Sequence, residues 1–281
     1  MRIPASLVLA VASLALVGCG HVRATTAAQP SPAPSITSVA STSSSVAPTG
    51  DSVADPGEEA ARAEPDGQFS LVVFDRETSQ VVASHNPSTA YPAESVVKLL
   101  IAVTALQSGA DQSIVAQMLM RSDDEIADQL WTKYGELTIV LRAMKLMNLT
   151  DTVPPDDPGR WGDTQTTATD LVKVYRYIFD QATLDVRAVI LKSLSGATEY
   201  AADGFDQYFG IPDAAGSTTW AVKQGWACCK PDRVLHTTGM VGDQQRYIVV
   251  ALSSHDASTT WDQASGELTR AMQSLLGSLH L

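Results

Sequence analysis

The chain has 281 residues, 44% of them apolar and 18% charged, an ordinary globular composition with room for one large domain or two small ones. Its formal net charge of −12 argues against nucleic acid as a partner, because a phosphate backbone needs a basic footprint. No GxGxxG, GxxxxGKS/T, HExxH or GxSxG motif occurs, and His21, His85, His236, His255 and His280 show no metal-ligand spacing, so no cofactor and no metal is implied.

At the N-terminus, Arg2 precedes an apolar run from Ile3 to Val17, too short for a bilayer span and of the right length for a signal-peptide core. The run ends in Leu16-Val17-Gly18-Cys19, which resembles the bacterial lipoprotein cleavage box. The resemblance implies a signal peptide over residues 1–18, lipidation of Cys19, and a protein held to the membrane by its lipid alone, on the extracytoplasmic face. From Ala24 to Gly50, 23 of 27 residues are Ala, Pro, Ser, Thr or Gly, and the acidic stretch Asp51 to Asp66 has no clear period. Residues 19–66 therefore read as a disordered tether. With Cys19 acylated, Cys228 and Cys229 remain, either as a vicinal disulfide or as small thiols.

A folded domain is expected over 67–281. Gln68–Asp75 and Gln80–Ala83 are β-branched and aromatic runs around the turn Arg76–Ser79, which predicts an opening hairpin. Helical periodicity follows in Ser95–Gln107, Gln112–Met120, Asp124–Tyr134, Leu137–Met147, Thr169–Asp180 and Leu184–Leu194. Three strand-like runs come next, Trp220–Trp226, Val234–Val241 and Arg246–Ser253, with Gly239, Gly242 and Asp243 marking the turn between the last two. An amphipathic helix from about Thr259 to Leu276 closes the chain. Strands at both ends with helices between them must pair into one sheet, and the inserted helices form a second lobe; clefts between lobes favour ligands.

Three short motifs stand out, each with a plain structural explanation. Ser95 and Lys98 lie three apart on one helix face, where they can touch, or Ser95 caps the helix and Lys98 snorkels to water. Ser122-Asp123-Asp124 lies between helices, and Ser122-x-x-Glu125 fits a capping box. Lys223-Gln224-Gly225 lies on a strand, where a lysine can guard a sheet edge.

Ser-x-x-Lys, Ser-Asp-Asp and Lys-Gln-Gly come in the order and on the elements that mark class A β-lactamases and penicillin-binding proteins. Residues 67–281 resemble that superfamily, which implies an α/β (α+β) fold with an antiparallel sheet built from both chain ends and an inserted helical lobe. The sequence departs from the pattern at Asp124, where the superfamily has asparagine, and at Gln224, where it has threonine or serine. The resemblance implies Ser95 as nucleophile, Lys98 as its base, and Ser122 as proton relay to the leaving nitrogen. Backbone N–H groups of Ser95 and Trp226 would form the oxyanion hole, and Asp124, Lys223, Gln224 and Gly225 would bind substrate. Tyr91 and Trp226 are further candidates to line the cleft, with core packing the alternative for Tyr91. The implied partner is a cell-wall peptide or a β-lactam-like small molecule.

In the lactamases of that superfamily a glutamate lies on a loop before the helix at Thr169–Asp180. Here Arg160-Trp161 resembles the loop's start and Asp163–Thr167 its exit, but no glutamate occurs from Thr150 to Ala168, and three prolines surround Asp156 and Asp157. Two readings follow: a tethered serine acyl-transfer hydrolase with weak β-lactam turnover, or a binding module of the same fold that has lost turnover.

Overall fold

Apolar side chains on both faces of the strands Gly67–Asp75 and Tyr247–His255 demand cover on both sides, and this requirement organises the molecule. The computed structural model describes residues 55–63 and 67–281; the expected signal peptide, Cys19 and most of the expected tether lie outside the described residues. In chain order the elements are α1 (Pro56–Ala61), β1 (Gly67–Asp75), β2 (Gln80–His85), the short β3 (Tyr91–Pro92), a 3-10 turn (Glu94–Val97) and α2 (Lys98–Gln107). The helical section continues with α3 (Gln112–Arg121), α4 (Asp124–Tyr134), α5 (Leu137–Met147), a turn at Trp161–Asp163, the short β4 (Gln165–Thr166), α6 (Ala168–Asp180) and α7 (Leu184–Ser195). Then come α8 (Ile211–Ala214), β5 (Trp220–Ala227), β6 (Arg233–Val241), β7 (Tyr247–His255) and α9 (Trp261–Ser278).

The main sheet is antiparallel in the order β2-β1-β7-β6-β5, so the two chain ends meet at its centre. Strand alternation gives it two apolar faces. Val72, Phe74, Val250 and Leu252 pack against the helical lobe. Leu71, Val73, Val249 and Ala251 pack against Leu268, Met272 and Leu275 of α9. Within the lobe, α2 is buried from Lys98 to Ala105, and a helix apolar all round belongs at a centre. It lies against α3, α4, α5, α6 and α7.

The segment before β1 departs from expectation. Residues 56–61 form a helix capped by Asp55, whose carboxylate accepts from Gly57 N–H. Ala60 is fully buried, and a Cβ on Gly57 would lie 2.5 Å from the Ser84 carbonyl oxygen. The acidic composition hid one short, tightly docked turn.

Gly239 is the second departure. It sits within β6 rather than in the turn. A Cβ there would come 2.2 Å from the Ala221 carbonyl oxygen of β5, so the missing side chain lets the two backbones approach. Gly239→Ala must push β5 outward, and it is expected to cost about 1–3 kcal/mol in urea melts.

Candidate active site

Ser95 lies in the 3-10 turn Glu94–Val97, with no side-chain cap bond at that turn or at the start of α2. Lys98 is 0% exposed and does not snorkel. Its Nζ donates to Ser95 Oγ at 2.5 Å, to the Ser122 carbonyl oxygen at 3.0 Å and to Ser122 Oγ at 3.4 Å, and it is ion-paired with Asp124. The Trp161 ring lies 4.6 Å from the same Nζ and covers it, with its indole N–H held by Asp128 at 2.7 Å.

Ser122 is not a helix N-cap. Asp123 takes that role, its carboxylate accepting from Ile126 N–H at 3.0 Å. Ser122 instead ends α3 in a left-handed conformation, φ 50°, which turns the chain sharply and leaves its hydroxyl facing the site. Lys223 Nζ donates to that hydroxyl at 2.8 Å and is itself buried. β5 is the edge strand, but this lysine guards no edge, because the helical lobe covers it.

Two amines therefore share one hydroxyl away from water. Burial pushes both lysines down from the ordinary lysine range, and Lys98 pushes Lys223 down further. On Lys98, burial is the larger effect and the Asp124 carboxylate opposes it.

Strand alternation corrects the reading of Gln224. Lys223 and Gly225 face the lobe, whereas Gln224 points to the opposite face. There its amide N–H donates to the carbonyls of Gln207 at 3.1 Å and Phe209 at 2.7 Å. Gln224 fixes the 207–209 loop and offers no side chain to the cleft. The Trp226 ring is on that face too, stacked 4.7 Å from Phe205, so only its backbone is available beside Ser95. Gly225 lets the Ser95 turn settle on β5, since a Cβ there would lie 3.1 Å from both the Ala93 carbonyl oxygen and Val96 Cγ2. Tyr91 is core, edge-on to His236 at 5.8 Å. His236, held neutral by burial near pKa 4, lies 2.8 Å by Nε2 from the Pro92 carbonyl and ties β6 to the segment before Ser95.

Cys228 and Cys229 form the vicinal disulfide, two residues beyond Trp226. Cys228, with Pro155, Asp157, Arg160 and Lys230, borders a cavity of about 680 Å³ that reaches Glu94. Glu94 is the residue the sequence did not single out, because an acidic side chain at a helix start ordinarily complements the helix dipole. Burial raises its carboxyl to about 7; Asp163 and Asp124 push the same way, and Arg160 and Lys98 oppose them.

No protein-family model matches the chain. The proteins named "Putative lipoprotein LppW" in Mycobacterium bovis and Mycobacterium tuberculosis are each 35% identical to it over 219 residues, covering 73% of this chain and 68% of the relative. The chain belongs to the LppW lipoprotein family. Among solved structures, a class A β-lactamase from Mycobacterium abscessus superposes with a TM-score of 0.66 at 16% identity, covering 80% of this chain and all of that one. A structure titled PBP-A gives 0.66 at 15%, covering 80% and 95%. This LppW-family chain thus has the class A β-lactamase fold, as the order of its motifs implied.

The Glu94 carboxyl generates a stability prediction. An unfolded glutamate loses its proton near 4.5 and the folded Glu94 near 7, so the folded state binds more protons between those values. Glu94 should therefore lower stability progressively as pH rises from about 4.5 to about 7, with no further loss above that. Thermal melts across this range should show a shallower fall in Glu94→Gln than in the wild type.

Proposed function

We propose that this protein is a membrane-tethered serine acyl-transfer hydrolase acting on a cell-wall peptide or a related envelope amide or ester, with weak β-lactam turnover. The observation that carries it is the buried contact between Lys98 Nζ and Ser95 Oγ at 2.5 Å, continued through Ser122 to Lys223. A serine hydroxyl attacks a carbonyl only when a base takes its proton. Burial supplies that base by weakening Lys98's hold on its own proton.

In this reading Ser95 Oγ bonds to the substrate carbonyl carbon while its proton passes to the Lys98 amine. Backbone N–H groups of Ser95 and Trp226 receive the oxyanion, a task that depends on geometry rather than side-chain identity. Ser122 delivers a proton to the leaving nitrogen as the amide bond breaks, and takes in its place the proton held on Lys98. Lys223 holds Ser122 and attracts the substrate's carboxylate, as in peptides ending in acyl-D-alanyl-D-alanine and the β-lactams that mimic them. Cys19 carries the lipid, and the segment after it holds the domain away from the extracytoplasmic face of the membrane. Membership of a lipoprotein family supports this anchoring.

A second reading, a binding module without turnover, is favoured by one observation: Asp124 is ion-paired with Lys98 and opposes its deprotonation. Mass spectrometry after incubation with a fluorescent penicillin separates the two. The hydrolase gives an adduct on Ser95, absent from Ser95→Ala; the binding module gives none. Asp124→Asn removes the charge that retains the proton and adds an amide donor. It is expected to speed acylation roughly 5- to 150-fold, the equivalent of about 1–3 kcal/mol. No change or a slowing would mean that Asp124 does not restrain the base. For the anchor, wild-type protein should partition into detergent, and Cys19→Ser should release it or block its processing.

A further inference from the structure

Acyl transfer to water has a second half. The ester on Ser95 must be hydrolysed, and a water attacks it efficiently only when a base takes its proton. The carboxylates near Ser95 are not equally free to do this. Asp124 is paired with Lys98, Asp163 with Arg160, and Asp203 accepts from the Trp226 indole at 3.3 Å.

Glu94 stands apart. Its carboxyl forms no hydrogen bond or ion pair with the described residues. It immediately precedes Ser95, and its backbone is held at φ 48°, a left-handed conformation unfavourable for a residue with a side chain. Such outliers concentrate where function requires a particular direction of the chain. The direction is defined here. A Cβ on Gly225 would lie 3.4 Å from Glu94 Cβ, and one on Gly162 would lie 3.0 Å from Glu94 Oε2. The side chain thus runs from beside Trp226, whose N–H faces the developing oxyanion in the proposed reaction, across to the 160–163 turn. Gly162 leaves room for the carboxyl, and the cavity of about 680 Å³ on whose wall Glu94 lies gives water a path to it.

From this placement we propose that Glu94 is the general base that activates water for hydrolysis of the Ser95 acyl-enzyme, an inference that rests on the serine acyl-transfer reading. The Glu94 carboxylate takes a proton from water as the water oxygen bonds to the ester carbonyl carbon, and the oxyanion forms. Collapse breaks the bond from carbon to Ser95 Oγ, and the proton that Glu94 took from water passes through the Lys98 amine, hydrogen-bonded to that oxygen, to Ser95 Oγ. The product leaves as a carboxylic acid, and Glu94 is again a carboxylate and Lys98 again an amine, which is the starting state. The groups facing the Glu94 carboxyl are Asp163 and Arg160 from the turn, Asp124 from α4 and Lys98 from α2. Their balance, added to burial, keeps the carboxyl half protonated at about pH 7.

The test uses the full-length protein in detergent. It is labelled with a fluorescent penicillin and freed of excess reagent, and loss of the Ser95 adduct is followed by intact-mass spectrometry. Wild-type hydrolysis should rise with pH through a midpoint near 7 and level off above it. Glu94→Gln should lose that dependence and slow hydrolysis about 10²-fold or more at pH 8. Glu94→Asp, which keeps the acid one methylene shorter, should retain the pH dependence at a reduced rate, an outcome that a purely structural role does not give. A Ser95 adduct that decays equally fast in Glu94→Gln overturns the proposal alone, as does a wild-type adduct that is stable above pH 7. No adduct in the wild type overturns the acyl-transfer reading, and the base with it.

Discussion

Two lysine amines withdrawn from water and joined through one serine hydroxyl set the terms for the rest of the structure. Placing an ammonium in a low-dielectric interior costs several kcal/mol unless it is paired and hydrogen-bonded. Each lysine here is bonded, yet both cannot easily keep a full charge so close together. The fold supplies the enclosure. α2 lies at the centre of the helical lobe and presents Lys98 from its first turn, while β5 presents Lys223 from the edge of the sheet. The left-handed end of α3 brings Ser122 between them. Neither lobe alone makes the site.

The same enclosure explains the glycines and the neutral histidine nearby. Gly225 lets the Ser95 turn rest on β5, and Gly239 lets β5 rest on β6. His236 joins β6 to Pro92, just before that turn. These contacts hold the nucleophile's backbone against the strand that carries Trp226, and an oxyanion hole needs backbone N–H groups fixed at one spacing. Asp124 introduces a tension. Its carboxylate offsets part of the burial of Lys98, and by doing so it retains the proton that a base must give up.

Much of this was legible in the sequence because it is written in local pattern. Period-two and 3.6-residue repeats located the strands and helices, and three tetrapeptide-scale motifs in the right order implied the lactamase fold. The acidic segment before β1 was misread for the converse reason. One short turn has too few residues to show a period, and its stability comes from docking on β2 and α9 rather than from its own sequence.

What the sequence determined by itself was the element order and the presence of Ser95, Lys98, Ser122, Asp124 and Lys223 as a candidate set. Only the tertiary structure decided what each side chain faces. Gln224 follows Lys223 directly, yet the pleat of β5 sends it to the opposite face and into a loop's carbonyls. Glu94 belongs to no motif in the sequence, and packing against Gly225 and Gly162 carries its carboxyl to the edge of a cavity. Asp124 could have contacted solvent, substrate or lysine, and the position of α2 put it on Lys98. The reason is physical: periodicity is a property of neighbours along the chain, whereas burial, charge pairing and the shift of a proton depend on groups that meet only after the sheet has closed.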